Sequence, residues 1–262
     1  MNQSKICAVM QPTYLPWLGY FDMIDKVDVF VFLDNVQLMQ RSWQTRNRIK
    51  NIKGEEIILS IPVKKTARFD EITILNAEPN NESKWSVDHL RKIEDAYRKS
   101  TYFSTVNPLI KEFYSQTFTS LADFHCKFIS QICNWIGIDT PLIRASDLGS
   151  FPEIKDVKTV KIIRAINCNS YLSARGSAEY IEANTPGGEF TKHNIPLYYH
   201  NYEHPQYPQI NGAFLPFMGI IDLLYNVGFE QSLSIIKTGR RNDIYYSEFE
   251  ACIGKKTNFR KI

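Results

Sequence analysis

With 262 residues, 44% hydrophobic and 23% charged, the chain is long enough to bury a sizeable core, and its composition excludes a disordered or fibrous protein. A net charge of +3 is too small and too dispersed to predict nucleic acid as a partner. Five cysteines (Cys7, Cys126, Cys133, Cys168, Cys252), odd in number and without a CxxC pair, argue against a disulfide framework or a zinc site, so no metal is expected.

The N-terminus, MNQSKICAVMQP, has one lysine and a run too short for a signal peptide or membrane span, which predicts a cytoplasmic protein. Ile6 to Met10 reads as a strand, ended by Gln11-Pro12-Thr13 and Pro16. Gly19 opens a helical pattern through Phe21, Ile24 and Val27, and Val29 to Leu33 is a second strand. Neither strand alternates, as expected when both faces of a parallel sheet are covered. The turn after a first parallel strand is where α/β folds place ligands. Here it carries Gln11, Thr13, Tyr14, Trp17 and Tyr20, which either grip a small molecule by stacking and hydrogen bonds or plug a hydrophobic corner.

Asp34 and Gln37 follow the second strand and are expected to face the same cleft. Asp34 suits a general base, a ligand for a ribose or an amine, or a helix cap. The clearest basic cluster is Arg41 to Lys50. Its Arg41, Arg46, Asn47 and Lys50 suit a diphosphate, because arginine grips phosphate oxygens in a bidentate way. Trp43 between them would stack on a base or sugar. A solvated basic face is the alternative.

Glu56 to Val63 is a strand that can pair with what precedes it, and Ile72 to Leu75 is a short strand-like run. Lys84 to Tyr97 has helical spacing. Pro108 begins a further helix, and Leu121 to Trp135 marks another, with Gly137 as its C-cap. After a short strand at Pro141 to Ala145 and a helix from Asp156 to Asn167, a strand at Ser170 to Leu172 leads into a turn with Ser173, Arg175 and Gly176. Amides at such a turn plus an arginine make an anion site, and an ordinary capping serine competes as an explanation. Beyond a strand at Ile195 to His200, the Pro-broken loop YEHPQYPQ presents His204, Tyr207 and Gln209. A loop histidine is a natural acid or base for activating an amine, or simply structural. Phe217 to Val227 predicts a last apolar helix ending at Gly228, with Asp222 and Asn226 on one face. No cysteine or serine stands in a nucleophile motif. The fold class expected is α/β, a Rossmann-like parallel-sheet core within residues 1–240, with about 84–136 a largely helical insertion and 241–262 a polar, peripheral tail.

Taken together, QPTYLPWLGYFDMI, VFVFLDNVQ, RSWQTRNRIK, YLSARGSAEYIE and HPQYPQ with IIDLLYNVG resemble the WbqC-like protein family, from about Ala8 to Gly228. Members are typically encoded among genes for surface polysaccharide biosynthesis. The resemblance therefore implies a transferase on a nucleotide-linked amino sugar, by N-acyl or aminoacyl transfer, in O-antigen or lipopolysaccharide biosynthesis. The donor would be acyl-CoA or an acyl carrier protein, and His204 or Asp34 would handle the proton. The Pro-Thr turn, helix and DVFVFLD strand are also similar to the nucleotidylyltransferase-type Rossmann fold of pantothenate synthetase, which implies an ATP-dependent amide ligase as an alternative. That class carries an HxGH signature, and here Trp17-Leu18-Gly19-Tyr20 keeps only the glycine. SARGS resembles its second phosphate-binding loop. A non-catalytic sugar-nucleotide binding or scaffold protein is the third reading.

Overall fold

Apolar runs without alternation form the middle of the sheet. The computed structural model describes residues 4–65, 68 and 71–249. In chain order it has β1 (Ile6–Met10), α1 (Leu18–Asp25), β2 (Val29–Phe32), β3 (Arg46–Lys50), β4 (Glu56–Ser60), α2 (Trp85–Tyr97), α3 (Phe103–Tyr114) and α4 (Leu121–Ile136). There follow β5 (Leu142–Arg144), α5 (Lys155–Ala165), β6 (Ser170–Ser173), α6 (Ala178–Ile181), α7 (Gly188–Lys192), β7 (Leu197–Tyr199), α8 (Ile220–Thr238) and β8 (Ile244–Tyr245).

Six strands form one sheet in the order β5-β2-β1-β6-β7-β8, all parallel except β8. The fold is α/β with a Rossmann-like core. From β1 the chain builds outward through β2 and β5 on one side, then returns to add β6 and β7 on the other. The carboxyl ends of β1 and β6 therefore flank the crevice where such sheets bind ligands. Successive strand residues serve opposite layers: Ala8, Phe30 and Phe32 join the core with α1, α2, α3, α4 and α8, while Cys7, Val9, Val29 and Val31 join the core with α5 and α7. That double burial is the physical reason for VFVF and CAV without polar alternation.

β3 and β4 form a separate antiparallel hairpin, Arg46 opposite Ser60 and Lys50 opposite Glu56. The helices α2, α3 and α4 run between it and β5. Ser120 caps α4 by accepting from the Asp123 amide (3.1 Å), and Gly137 ends it at φ 78°.

Some local expectations fail. Pro108 does not begin a helix but lies inside α3 as its sixth residue, past the first turn, where it offers the Ser104 carbonyl no i+4 amide. Ile72 to Leu75 is a turn in which Thr73 bridges Gln37, with Ile72 and Ile74 buried. Gly228 breaks α8 rather than ending it, at φ 76° and ψ 176°, where a Cβ would lie 2.6 Å from the Tyr102 ring. The chain past Arg240 is not a peripheral tail as far as it is described: β8 pairs with β7, and Arg240 Nε donates to buried Asp22 (2.5 Å) and its Nη2 to Asp25. Cys252 and the rest of 250–262 lie outside the described residues. Among those described, the four cysteines are buried free thiols, and no helix is long and apolar enough to cross a membrane.

Candidate functional site

The loop leaving β1 is stitched to β3. Tyr14 N–H donates to the Trp43 carbonyl (2.9 Å), and Asn47 Nδ2 donates to the carbonyls of Tyr14 (2.9 Å) and Leu15 (2.7 Å). Farther along the strand, Gly219 N–H donates to the Arg48 carbonyl (3.3 Å), and Gly219 bridges Trp17. Strand alternation then does the sorting. Asn47 and Ile49 point inward, leaving Arg46 and Arg48 half-buried on the opposite face.

Arg48 Nε donates to the Phe217 carbonyl (3.0 Å), and its guanidinium lies 5.6 Å from the Trp43 ring. Phe217 in turn touches His204 (5.0 Å between ring centres) and Trp17 (5.8 Å). Trp17 and His204 are nearly parallel, at 14° and 6.3 Å, and Tyr202 meets the Trp17 ring edge-on at 5.5 Å. Leu15 (φ 45°) and Phe217 (φ 60°) flank this cluster in the left-handed region. For non-glycine residues that costs roughly 1–2 kcal/mol each, and such outliers gather at functional sites. Arg48 Nη1 also donates to Glu56 (2.8 Å), whereas Arg46 has no hydrogen-bond or ion-pair partner among the described residues.

His204 sits in an aromatic enclosure. Its Nδ1 donates to the Pro205 carbonyl (2.9 Å), so Nε2 is the acceptor, and that atom is buried without a partner among the described residues. Burial, helped by the Arg48 charge, pushes the imidazole down to about 4, so it is neutral at neutral pH. Across the crevice, Ser173 is buried at the end of β6. The next turn holds Arg175, whose Nη1 reaches Asn201 Oδ1 (3.5 Å), and Gly176, with open space before its Cα. Asn201 and Tyr202, adjacent after β7, thus connect Arg175 to Trp17.

The chain matches the WbqC-like protein family over residues 11–233. It belongs to that family. It is also 30% identical over 234 residues, 86% of this chain and 95% of the relative, to an uncharacterized protein of Mycobacterium tuberculosis, Rv1507c. No solved structure matches it.

Several residues of the WbqC-like motifs serve the fold instead of this face. Asp34 was expected to face the crevice as a base. It is fully buried, and Arg144 Nε (2.8 Å), Ser146 N–H (3.0 Å) and Ser146 Oγ (2.7 Å) all donate to it, so it pins β5 to β2. Gln37 is exposed beside Thr73, and Arg41 is exposed. Tyr14 is in the core, its hydroxyl 2.8 Å from His89 Nδ1 and 2.5 Å from Tyr114 Oη. Tyr20 is buried and donates to the Gln11 carbonyl (3.2 Å). The Gln11 side chain accepts from Gln44 Nε2 (2.6 Å), while Thr13 stands half-buried on the loop.

Lys50, Tyr207 and Gln209 converge, but around Asp222. Tyr97 Oη (2.9 Å), Tyr207 Oη (2.8 Å) and Gln209 Nε2 (2.8 Å) donate to its buried carboxylate, and Lys50 Nζ reaches the Ala213 carbonyl (2.7 Å) and Gln209 Oε1 (3.4 Å). This hub fixes the HPQYPQ loop on α8 and β3, which sets where His204 stands. Arg48, Phe217, Tyr202, Gln44, His125 and Tyr97, a hydroxyl donor to Asp222, went unrecognised in the sequence. For Arg48 the signal was there: RNRIK read with period two groups it with Arg46. For the others no short-range pattern exists.

Proposed function

We propose that this protein binds a nucleotide-linked amino sugar on the face made by Trp17, Trp43, Arg46, Arg48 and His204, and transfers an acyl or aminoacyl group to the sugar amine. One observation carries the reading: three motifs far apart in the sequence contribute aromatic rings and guanidinium groups to one surface beside the carboxyl end of β1. Aromatic faces suit a base or a sugar ring, and arginines suit diphosphate oxygens. Among the described residues Arg46 has no partner to give up.

In the transfer, the amine nitrogen bonds to the donor's acyl carbon, the bond to the leaving group breaks, and the amine proton passes to His204 Nε2 and on to the leaving group. Neutral His204 is in the right state to accept. A diphosphate on Arg48 would offset part of the charge that now lowers its basicity. Phosphate activation in the manner of the histidine-bearing nucleotidylyltransferases finds less support, because the two signature positions hold an indole folded over Gly19 and the buried Tyr20 hydroxyl.

The test is calorimetry with a nucleoside-diphosphate amino sugar, then mass spectrometry of the sugar after adding an acyl-CoA. Binding is expected, weakened about tenfold or more by Arg46→Ala and by Arg48→Ala, as for lost charge-assisted contacts. Acylation is expected to stop in His204→Ala while binding persists. No binding by the folded protein would overturn the reading. A binding-only role is the second reading, favoured by the engagement of Asp34 in the fold; it predicts binding without acylation by any donor.

A further inference from the structure

Two open clefts, of about 470 and 420 Å³, adjoin at the carboxyl ends of β2 and β5, among residues separate from the aromatic face. They share Asp123 and Arg144. The larger runs between the polar side of α4 and β5, which is the edge strand of the sheet.

Arg144 is the last residue of β5. Its Nε is held by the fully buried Asp34 carboxylate at 2.8 Å, which is itself fixed by Ser146. This contact orients the guanidinium and leaves both Nη groups without a partner among the described residues. Asp147, three residues on, lines the same cleft, is exposed, and has no hydrogen-bond or ion-pair partner there either. The remaining charges cancel: Lys127 pairs with Asp123 at 3.0 Å on one face of α4. The cleft thus offers one oriented cation and one unengaged carboxylate. A simple anion would meet Asp147, and a simple cation would meet Arg144. A molecule with both charges satisfies both. Gln131 and Asn134 add amides, and Phe113 adds an apolar wall.

We propose that this cleft binds a free α-amino acid, its carboxylate on the Arg144 Nη pair and its ammonium on Asp147. Guanidinium–carboxylate pairing through two parallel hydrogen bonds is strong and directional, and Asp34 behind Arg144 orients it in advance. The inference does not depend on the nucleotide-sugar reading.

The experiment is thermal shift of the intact protein with each proteinogenic amino acid in turn, followed by calorimetry on any that stabilise it. Each such amino acid is then compared with its N-acetyl and methyl-ester forms. At least one amino acid should bind, and both blocked forms should bind about tenfold more weakly or not at all. Asp147→Asn, at an exposed position that the fold does not use, should weaken binding about tenfold. Arg144→Gln should abolish it; since that change also strips Asp34 of its partner, its folding is checked by circular dichroism, and Asp147→Asn decides if it fails. No binding by any amino acid, or unchanged binding by either blocked form or by Asp147→Asn, would overturn the proposal.

Discussion

Gly19 is the one remnant of the HxGH pattern, and its role here is to make room for an indole. A methyl group at Gly19 would lie 2.4, 2.5 and 2.8 Å from three carbons of the Trp17 ring. The α1 backbone itself would accept alanine and would gain up to ~1 kcal/mol of helix propensity. Trp17 is half-buried, so the ring can swing outward rather than force the helix apart. Swinging breaks its contacts with Tyr202, His204 and Phe217. At about 0.5–1.5 kcal/mol per aromatic pair, less the helical gain, Gly19→Ala should destabilise by roughly 0.5–3.5 kcal/mol. For a chain of this size that is a fall in melting temperature of about 1–14 °C, at roughly 2–4 °C per kcal/mol. The functional loss should be larger, because the ring leaves the face it helps to build. Calorimetry with a nucleoside-diphosphate amino sugar should show affinity reduced at least about tenfold in a protein that still melts cooperatively. Undiminished affinity together with an unchanged near-ultraviolet circular dichroism spectrum would refute the reasoning, since the indole would then have no place in the site.

Burial pushes His89, His125 and His204 each down to about 4, from about 6.5 in the unfolded chain. The unfolded state then holds more protons between those values, so their stability is fully present above about pH 6.5 and is lost as pH falls toward about 4, at up to ~1.4 kcal/mol per unit for each histidine. Urea midpoints measured across that range should fall steeply; a flat profile would contradict it. Tyr97→Phe keeps the ring stacked on Tyr225 (4.7 Å) but removes the one donor to Asp222 Oδ1 among the described residues, and should cost about 1.5–3 kcal/mol in urea denaturation with an unchanged m-value. Burial also raises the Asp222 carboxyl above the ordinary carboxylate range, outweighing its hydrogen bonds and Lys50. The folded state therefore binds that proton more tightly, so the contribution of Asp222 is full below the ordinary range and declines as pH rises through the raised value. Asp222→Asn should remove that decline, which stability-against-pH curves of the two proteins would reveal.

The sheet was legible because its signal is local. ICAVM and VFVF lack alternation for the reason that both faces are covered, and the predicted order of strand, turn, helix and strand follows from that pattern. Helix α4 was legible through its apolar spacing and its glycine cap. The histidines on α2 and α4 were not. His89 and His125 lie on apolar helix faces, and what makes them acceptable there is a partner far off in sequence: Tyr14 for one, the Gln44 carbonyl (2.6 Å) for the other. Asp34 failed for the same reason in reverse. Its position after a strand suggested the crevice, yet two residues from β5 and the turn after it, more than a hundred positions away, consume its oxygens.

The basic cluster carries the larger lesson about mechanism. Read as a run of donors, Arg41 to Lys50 looks like one phosphate clamp; folded as a hairpin strand, it divides by parity and depth. Asn47 turns inward and holds the loop that carries Trp17, while Lys50 is buried by the loop that carries His204. Among the described residues Arg46 is the unengaged cation left for a ligand, and Arg48 stands beside it, already paired with Glu56 (2.8 Å) and donating to the Phe217 carbonyl. The residues lost to the fold are thus the ones that place the aromatic rings beside those two arginines. It follows that Asn47→Ala should disturb ligand binding by moving Trp17, and Lys50→Met should disturb acylation by moving His204, without either residue touching the ligand. A change in the salt dependence of binding should accompany Arg46→Ala and Arg48→Ala alone, because only those two remove charge from the face.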